Sequence, residues 1–353
     1  MCPLEPVTHL LTAACMGRAG LNRTTGLATL TLVLAAEAPD ADMLFFFGGS
    51  VTGFKHHRGF THTFLGAPLV AAVSLAVVYG IYSLMRRRGW RPKVPPRWGL
   101  LYGFALLSAL IHILLDFSNN YGVRPLAPFH PRWYSWDIVY IVDPVILAAL
   151  FLGLVVPALL GLVGEEVGAS KVKFRGRGGA IFALLCLTAV IGFRDFEHRR
   201  ALAALNSVTF RGQDAVRVSA FPTMINPFLW SGVVETRDSF EVLPVDSGSG
   251  QLDPQNQAVV RYKPDETPVT LAAKNSRLGH VYLDWAQYPL VDVTTLSVPG
   301  GGYQVRFQDL RFARAETLSE GLSPVLAGHV ELDPQLRVVE QYIGRPPAER
   351  RNH

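Results

Sequence analysis

Between Thr24 and Phe193 the chain repeatedly runs for about a helix length or more without a single Asp, Glu, Lys or Arg. The stretches are residues 24–36, 60–85, 99–115, 138–164 (broken only by Asp143) and 179–193. Roughly 20 apolar residues span the ~30 Å hydrocarbon core of a bilayer. Each stretch approaches or exceeds that length, the first and last with help from their flanks. The pattern predicts a polytopic α-helical membrane domain with about five to six membrane segments. From Arg194 onward charges return, apolar and polar residues alternate, and Gly and Pro punctuate the chain. The roughly 160 residues that remain are enough to bury a core of their own, so a soluble α+β domain is predicted to follow. The predicted division is 1–193 and 194–353. A mean hydropathy of +0.24 is then the average of two unlike halves.

The net charge of +5 is concentrated in two clusters, Arg86, Arg87, Arg88, Arg91, Lys93 and Arg97, and Lys171, Lys173, Arg175 and Arg177. Both sit between apolar stretches, where they read as cytoplasmic loops and not as a nucleic-acid surface. Alternating the segments from those loops gives a multi-pass protein of the cytoplasmic (inner) membrane with the second domain outside. Cys2, Cys15 and Cys186 have no CxxC or framework spacing and read as packing residues. No basic n-region precedes an apolar core at the start, so insertion is expected to rely on internal segments.

The same topology brings the unusual polar residues to one depth, at the outer face. Ionisable groups inside a membrane cost about 2.5–3.5 kcal/mol each on insertion scales and mark function by default. In PDAD, Asp40 and Asp42 are two apart, on one side of an extended segment but on opposite sides of a helix. Pro39 predicts that this segment unwinds. His57 and His62 in HHRGFTHT are five apart and do not share a helical face. His57 is expected in a loop, with Gly59 giving the turn and His62 on the first turn of the next helix. In HILLD, His112 and Asp116 are four apart and lie one above the other on a single face. His9 joins the group if residues 6–17 form a short helix descending from the outside.

Mixed His and Asp donors without thiolates suit borderline and hard divalent ions, zinc first and manganese as the alternative. An ion would also offset the repulsion among Asp40, Asp42 and Asp116. Plainer readings exist for each residue: a satisfied helix histidine for His9, a hydrogen-bonded pair for His112 with Asp116, helix-end acids for Asp40 and Asp42. Asp143 before Pro144 reads equally as a network residue or as a locally bonded acid at a kink, and Glu37 is open in the same way. His56 is ambiguous beside His57, His130 reads as a loop residue, and Glu165 and Glu166 as solvated. No HExxH and no GxSxG occurs, which disfavours a zinc intramembrane protease of that type and a serine-hydrolase elbow.

PVTHLLTAA with His9, APDAD with Asp40 and Asp42, HHRGFTHT with His57 and His62, and HILLDFSNNYG with His112 and Asp116 together resemble the YdjM-type family of LexA-regulated, inner-membrane, metal-dependent hydrolases. The similarity continues through PLAPFHPRWYSWDIVYIVDP and FPTMINPFLWSGVV and more softly through YLDWAQYP and VRFQDLRF. It thus covers nearly the whole chain. The resemblance implies a hydrolase. The His/Asp layout is also distantly similar to the zinc phospholipase C and nuclease P1 group, helical phosphoesterases. Asn119 and Asn120 stand where relatives often carry small hydroxyl residues.

The expectation is therefore one to three divalent ions held by His9, Asp40, Asp42, His57, His62, His112 and Asp116. Asp42 or Asp116 would act as general base and Arg58 would brace a phosphoryl oxygen. Seven candidate ligands exceed what one tetrahedral ion accepts, which points to two ions. The membrane depth favours an amphiphilic phosphoester, a phospholipid or a lipid-linked or small phosphoester. A non-enzymatic metal-binding or proton-handling membrane protein and a metal-stapled scaffold are the rival readings. Nothing in the sequence sets an oligomeric state.

Overall fold

The computed structural model describes residues 5–166, 176–296, 301–320 and 326–344, with side chains of 161–166 left aside. Lys171, Lys173 and Arg175 of the second basic cluster, and Cys2, lie outside the described residues. Two compact units are present: one holds the chain up to Asp42 and again Arg58–Asp195, the other Met43–His57 and Phe196 onward. The second division lies between Asp195 and Phe196. The excursion Met43–His57 has no counterpart in the sequence-based division.

The first unit is helical. It contains α1 (Glu5–Ala19), α2 (Ala28–Glu37), α4 (Ala67–Arg87), α5 (Trp98–Ser118), α6 (Pro144–Glu166) and the part of α7 (Arg177–Asn206) up to Asp195, while α3 (Ser50–His56) belongs to the other unit. Three helices, α4, α5 and α7, are long and apolar enough to cross a membrane, and α6 carries a shorter apolar stretch, Pro144–Leu160. Among the described residues these three account for part of the five to six segments expected. The stretch expected to span from α2 onward stops at Glu37, because Pro39 disfavours helix before it and the chain continues as a 3-10 turn over Pro39–Gly48. Exposed Leu69, Val73 and Val77 on α4 and Leu107, Leu110 and Leu114 on α5 form apolar outward stripes of the kind that face lipid.

The helix α5 organises the unit. Leu101, Ala105, Ser108, Ala109, His112 and Asp116 are buried on it at three- and four-residue spacing, one continuous stripe. Small residues let the helices approach. Ala105 packs with Ala35 and Ala71 of α2 and α4, and Ser108 Oγ donates to Leu32 O at 2.7 Å. Asp143 caps α6, accepting from Val145 N (2.9 Å) and Ile146 N (3.2 Å), and pairs with buried Arg194 Nη2 at 2.6 Å. It is thus bonded both locally and, through Arg194, to α7.

The second unit carries two antiparallel four-stranded sheets. The first is β1 (Arg217–Pro222), β2 (Leu229–Glu235), β3 (Ser239–Asp246) and β4 (Val259–Tyr262), and the second is β5 (Pro289–Thr295), β6 (Tyr303–Asp309), β7 (Gly328–Leu332) and β8 (Val338–Ile343), each in sequential order. Short helices α8 (Pro254–Gln257), α9 (Pro268–Lys274), α10 (Arg277–Trp285) and α11 (Ala315–Ser319) fill the connections. Phe221, Val233, Phe240 and Val242 of the first sheet share a core with Tyr288, Leu290 and Leu310. On its other face, Trp230, Val234, Leu243 and Val245 pack on Ala201, Ala204 and Leu205 of α7. Pro289 opens β5, a position where its missing N–H is tolerated. Between α7 and β1 the chain makes a turn closed by the Phe210–Gln213 bridge. The excursion belongs here through α3, whose Phe54 ring meets Trp285 edge-on at 4.9 Å.

At the α6–α7 contact, a Cβ on Gly153 would stand 2.5 Å from Ala183 Cβ and 2.7 Å from Gly179 O. Gly153→Val is expected to destabilise the helical unit by about 1–3 kcal/mol. Thermal unfolding in detergent checks this; an unchanged Tm would show that the two helices do not need this close approach.

Candidate metal centre

Asp40, His62, His112 and Asp116 each place one donor atom so that all four lie within 4.8 Å of one another. The four come from three segments: the 3-10 turn after α2, the 3-10 turn Phe60–His62 before α4, and the buried stripe of α5. His62 Nε2 and His112 Nε2 are 3.0 Å apart. His62 Nε2 is 3.5 Å from Asp40 Oδ1 and 3.3 Å from Asp116 Oδ2, and His112 Nε2 is 3.6 and 3.5 Å from the same oxygens. A tetrahedral ion with ligands at about 2.0–2.1 Å has edges of about 3.3 Å. Five of the six edges are thus close to those of one tetrahedral site.

Hydrogen bonding says which atoms face that centre. His112 Nδ1 lies 2.6 Å from Ala36 O, and a carbonyl only accepts, so Nδ1 carries the proton and the neutral ring turns a lone pair at Nε2 inward. His62 Nδ1 lies 3.3 Å from Asp42 Oδ2 and 3.1 Å from Thr61 Oγ1, the carboxylate-to-imidazole support common behind metal-binding histidines. Two ring nitrogens and two carboxylate oxygens therefore converge as acceptors. Asp40 Oδ2 is buried without a hydrogen-bond partner. With both imidazoles neutral, as a bound ion requires, Asp40, Asp42 and Asp116 set three carboxylates against the one guanidinium of Arg58, two formal negative charges in excess, which a divalent cation would balance; without an ion, a proton on His62 takes up one of them. The donor set and its charge fit such an ion. Burial opposes charge on His62, but hydrogen bonds to Asp116, Asp40 and Asp42 outweigh it and hold its pKa well above the usual 6.5.

The other candidates surround this group. His9 reaches it: its ring stacks on His112 with centroids 3.8 Å apart, and Nε2 lies 3.3 Å from Asp116 Oδ1. Asp42 stands one step outward, gripping His62 Nδ1 while accepting from Arg58 N at 2.7 Å. Arg58 turns inward, onto the protein. It is buried, and Nη2 pairs with Asp116 Oδ1 at 2.9 Å while Nη1 donates to Asn119 Oδ1 (3.1 Å) and Gly122 O (3.0 Å). In this arrangement Arg58 positions Asp116. Arg58 also takes the left-handed turn (φ 50°) that the sequence assigns to Gly59. His57 lies in the other unit, buried, with its ring 6.2 Å from Phe46, and is not one of the four. The four-donor group suits one ion, where the count of seven candidates suggests two. Asn119 and Asn120 are both buried, and Asn119 serves Arg58 and Tyr121 N (2.9 Å).

A cavity of about 30 Å³ adjoins the group, lined by Thr8, His9, Asp116, Asn119 and Asp143 among others. Its size and polar lining suit a water molecule or two. On another side of α5 an apolar groove of about 310 Å³ is walled by Phe64, Leu110, Leu114, Phe117, Leu126 and Tyr134.

The profile of the family described as YdjM inner membrane protein matches residues 4–201. This chain belongs to that family. The YdjM match encloses every residue of the centre and ends within α7, ahead of both sheets. The chain is also 24% identical over 319 residues, 89% of its own length and 84% of the relative's, to Uncharacterized protein YfhP of Bacillus subtilis (strain 168). That similarity extends beyond the YdjM region into the sheets. No solved structure matches the chain.

Two outcomes are expected of divalent-ion titrations on purified protein. His112→Ala should abolish high-affinity binding of one equivalent of zinc, while Asp42→Ala, which removes support and not a ligand, should weaken it about 10–100-fold; equal retention by both variants would place the ion elsewhere. Protons and the ion compete for His62 Nε2, so wild-type affinity should fall as the pH drops through the His62 pKa, starting above 6.5. A pH-independent affinity between pH 8 and 6 would remove His62 from the ligand set.

Proposed function

We propose that this YdjM-family protein is a membrane-bound, metal-dependent hydrolase that cleaves a phosphoester of a phospholipid or lipid-linked substrate at the outer face of the cytoplasmic membrane. The observation that carries the reading is the buried group of two imidazoles and two carboxylates with its unbalanced negative charge. Asp40, His62, His112 and Asp116 would hold the ion, zinc being first choice for two nitrogens and two oxygens. When bound, the ion supplies Lewis-acid polarisation of an ester oxygen and makes a water more acidic.

The chain's own residues divide the remaining work. Arg58 and His9 hold Asp116 in place from its Oδ1 side, leaving Oδ2 toward the centre. Asp42 fixes the tautomer and plane of His62. Asp40 is the least buried of the four, its side chain 13% exposed against 2% or less for the others, so a substrate oxygen enters on its side, and the proton of the attacking water goes to Asp42 or Asp116 as general base. The cavity beside His9 and Asp116 supplies water, and the apolar groove along α5 accommodates an acyl or prenyl chain. The charge clusters at Arg86, Arg87 and Arg88 and after α6 support an orientation with the β-sheet unit outside.

Four protein donors around one point also favour a second reading, because structural metal sites are closed whereas catalytic ones keep a position open. On that reading the ion is bound without catalysis, as a staple or as cargo. Detergent-purified protein assayed with p-nitrophenyl phosphate and bis-p-nitrophenyl phosphate separates the two. Metal-dependent release of nitrophenol, lost at least 100-fold in Asp116→Asn, is the expected result. A protein that retains one equivalent of metal, loses Tm on chelation and cleaves neither compound nor a fluorescent phospholipid is not a hydrolase of this class.

A further inference from the structure

The first sheet carries a glutamate where its own pattern calls for a hydrocarbon. Successive residues of a strand face opposite ways, so Glu241 shares a face of β3 with Leu243 and Val245. Both are core residues against Trp230 and Leu205. Its partner across the ladder, Val234, belongs to the same core. Glu241 is 2% exposed. A carboxylate in such a position is costly unless something compensates it. The nearest cation is Arg211, whose Nε stands 3.9 Å from Glu241 Oε1, beyond hydrogen-bond distance. Burial pushes the Glu241 carboxyl above its usual range, and the charge of Arg211 offsets this only in part.

What lies beside the pair is space. A cavity of about 870 Å³ is lined by Glu241, Arg211, Ser207, Thr209, Asp253 and Gln255, among others. Arg211 is delivered to it by a two-residue turn in which Arg211 (φ 50°) and Gly212 (φ 70°) are both left-handed and Gln213 N donates to Phe210 O at 2.9 Å. Asn, Asp or Gly normally occupies the first position of such a turn. An arginine held there is strained, and strain of this kind persists where a side chain is needed in place. Arg211 Nη1 donates to Tyr262 Oη at 3.4 Å, and the Tyr262 ring is 68% exposed.

We propose that this cavity in the β-sheet unit binds a neutral, polyhydroxylated ligand of mono- or disaccharide size, with Glu241 and Arg211 gripping one hydroxyl between them. A hydroxyl both donates and accepts: it gives its proton to Glu241 and receives the Arg211 N–H, bridging a gap the two side chains do not close. A cationic ligand meets Arg211 and an anionic one meets Glu241, so each is opposed by one of the two. Ser207, Thr209 and Gln255 offer further partners for hydroxyls, and the exposed face of Tyr262 beside Arg211 suits the apolar face of a sugar ring. Asp253 is committed to capping α8, accepting from Asn256 N at 3.2 Å. The proposal does not depend on the hydrolase reading.

Saturation-transfer NMR on the full chain, in a detergent without a sugar headgroup, tests it with glucose, N-acetylglucosamine and maltose, against choline and glycerol 3-phosphate. At least one neutral sugar is expected to bind, and Glu241→Leu to weaken it ten-fold or more while leaving Tm equal to or above wild type, since leucine completes the core face. Arg211→Gly relieves the left-handed strain, so it folds whatever happens to Glu241→Leu, and it too should lose binding. Failure of all three sugars to bind, binding of choline or glycerol 3-phosphate in their place, or sugar binding unchanged in both variants would each overturn the proposal.

Discussion

Four electron-pair acceptors meeting at one point inside a helical bundle is an arrangement that does not hold itself together. His62 and His112 present ring nitrogens, and Asp40 and Asp116 present carboxylate oxygens. Each repels the others unless positive charge sits among them. A proton shared by two imidazoles answers part of that demand; a divalent cation answers all of it. The helical unit is therefore best understood as a rigid frame around a deficit of positive charge. Its small-residue contacts, with Ala35, Ala71 and Ala105 touching and Ser108 bonded to a carbonyl of α2, bring the backbones close enough for short side chains to reach a common centre. The same closeness lets the carbonyl of Ala36 fix the tautomer of His112.

Arg58 does the complementary task. A guanidinium presents five donors in a planar fork, and this one spends them on Asp116, Asn119 and Gly122. By pairing with Oδ1 of Asp116 it makes the two oxygens of one carboxylate unequal: one belongs to the frame and the other to the centre. Asp42 does the same for His62, whose Nδ1 is held outward so that Nε2 turns inward. Each inner donor except Asp40 thus has a dedicated outer partner. Asp40 is also the most exposed of the four, with 13% of its side chain accessible.

How much of this can be read from the sequence depends on the range over which the geometry is set. The face shared by His112 and Asp116 follows from their spacing alone, as does the burial stripe of α5. The unwinding at Pro39 is equally local. Yet the consequence of that unwinding is not: in a 3-10 turn Asp40 and Asp42 reach the two different nitrogens of the same His62 ring, which neither the extended nor the α-helical reading of PDAD contains. The inward orientation of Arg58 is set by partners 58 to 64 residues away, beyond any motif. For the same reason the residues from Met43 to His57 look like part of a helix and lip in sequence but pack through Phe54 against Trp285 and Tyr282. The apolar stretch 24–36 registers composition without length: its helix α2 is 10 residues long, too short to cross by itself.

The β-sheet unit shows the converse. The strands β2 and β3 are buried on both faces, between two apolar cores, and that makes a carboxylate on one of those faces informative. A buried acid on a core face, an arginine in a left-handed turn position and an exposed tyrosine beside it each break a local rule. Taken singly, each has a structural explanation: an ion pair, a tolerated strain, an ordinary surface aromatic. They cost stability separately, however, and no single structural role recovers all three costs at once. Because the pair stops at 3.9 Å instead of closing to hydrogen-bond contact, the two charges do not satisfy each other. In the helical unit the mismatch is an excess of acceptors, which selects a cation. Here it is a donor and an acceptor held apart, which selects a group that is both.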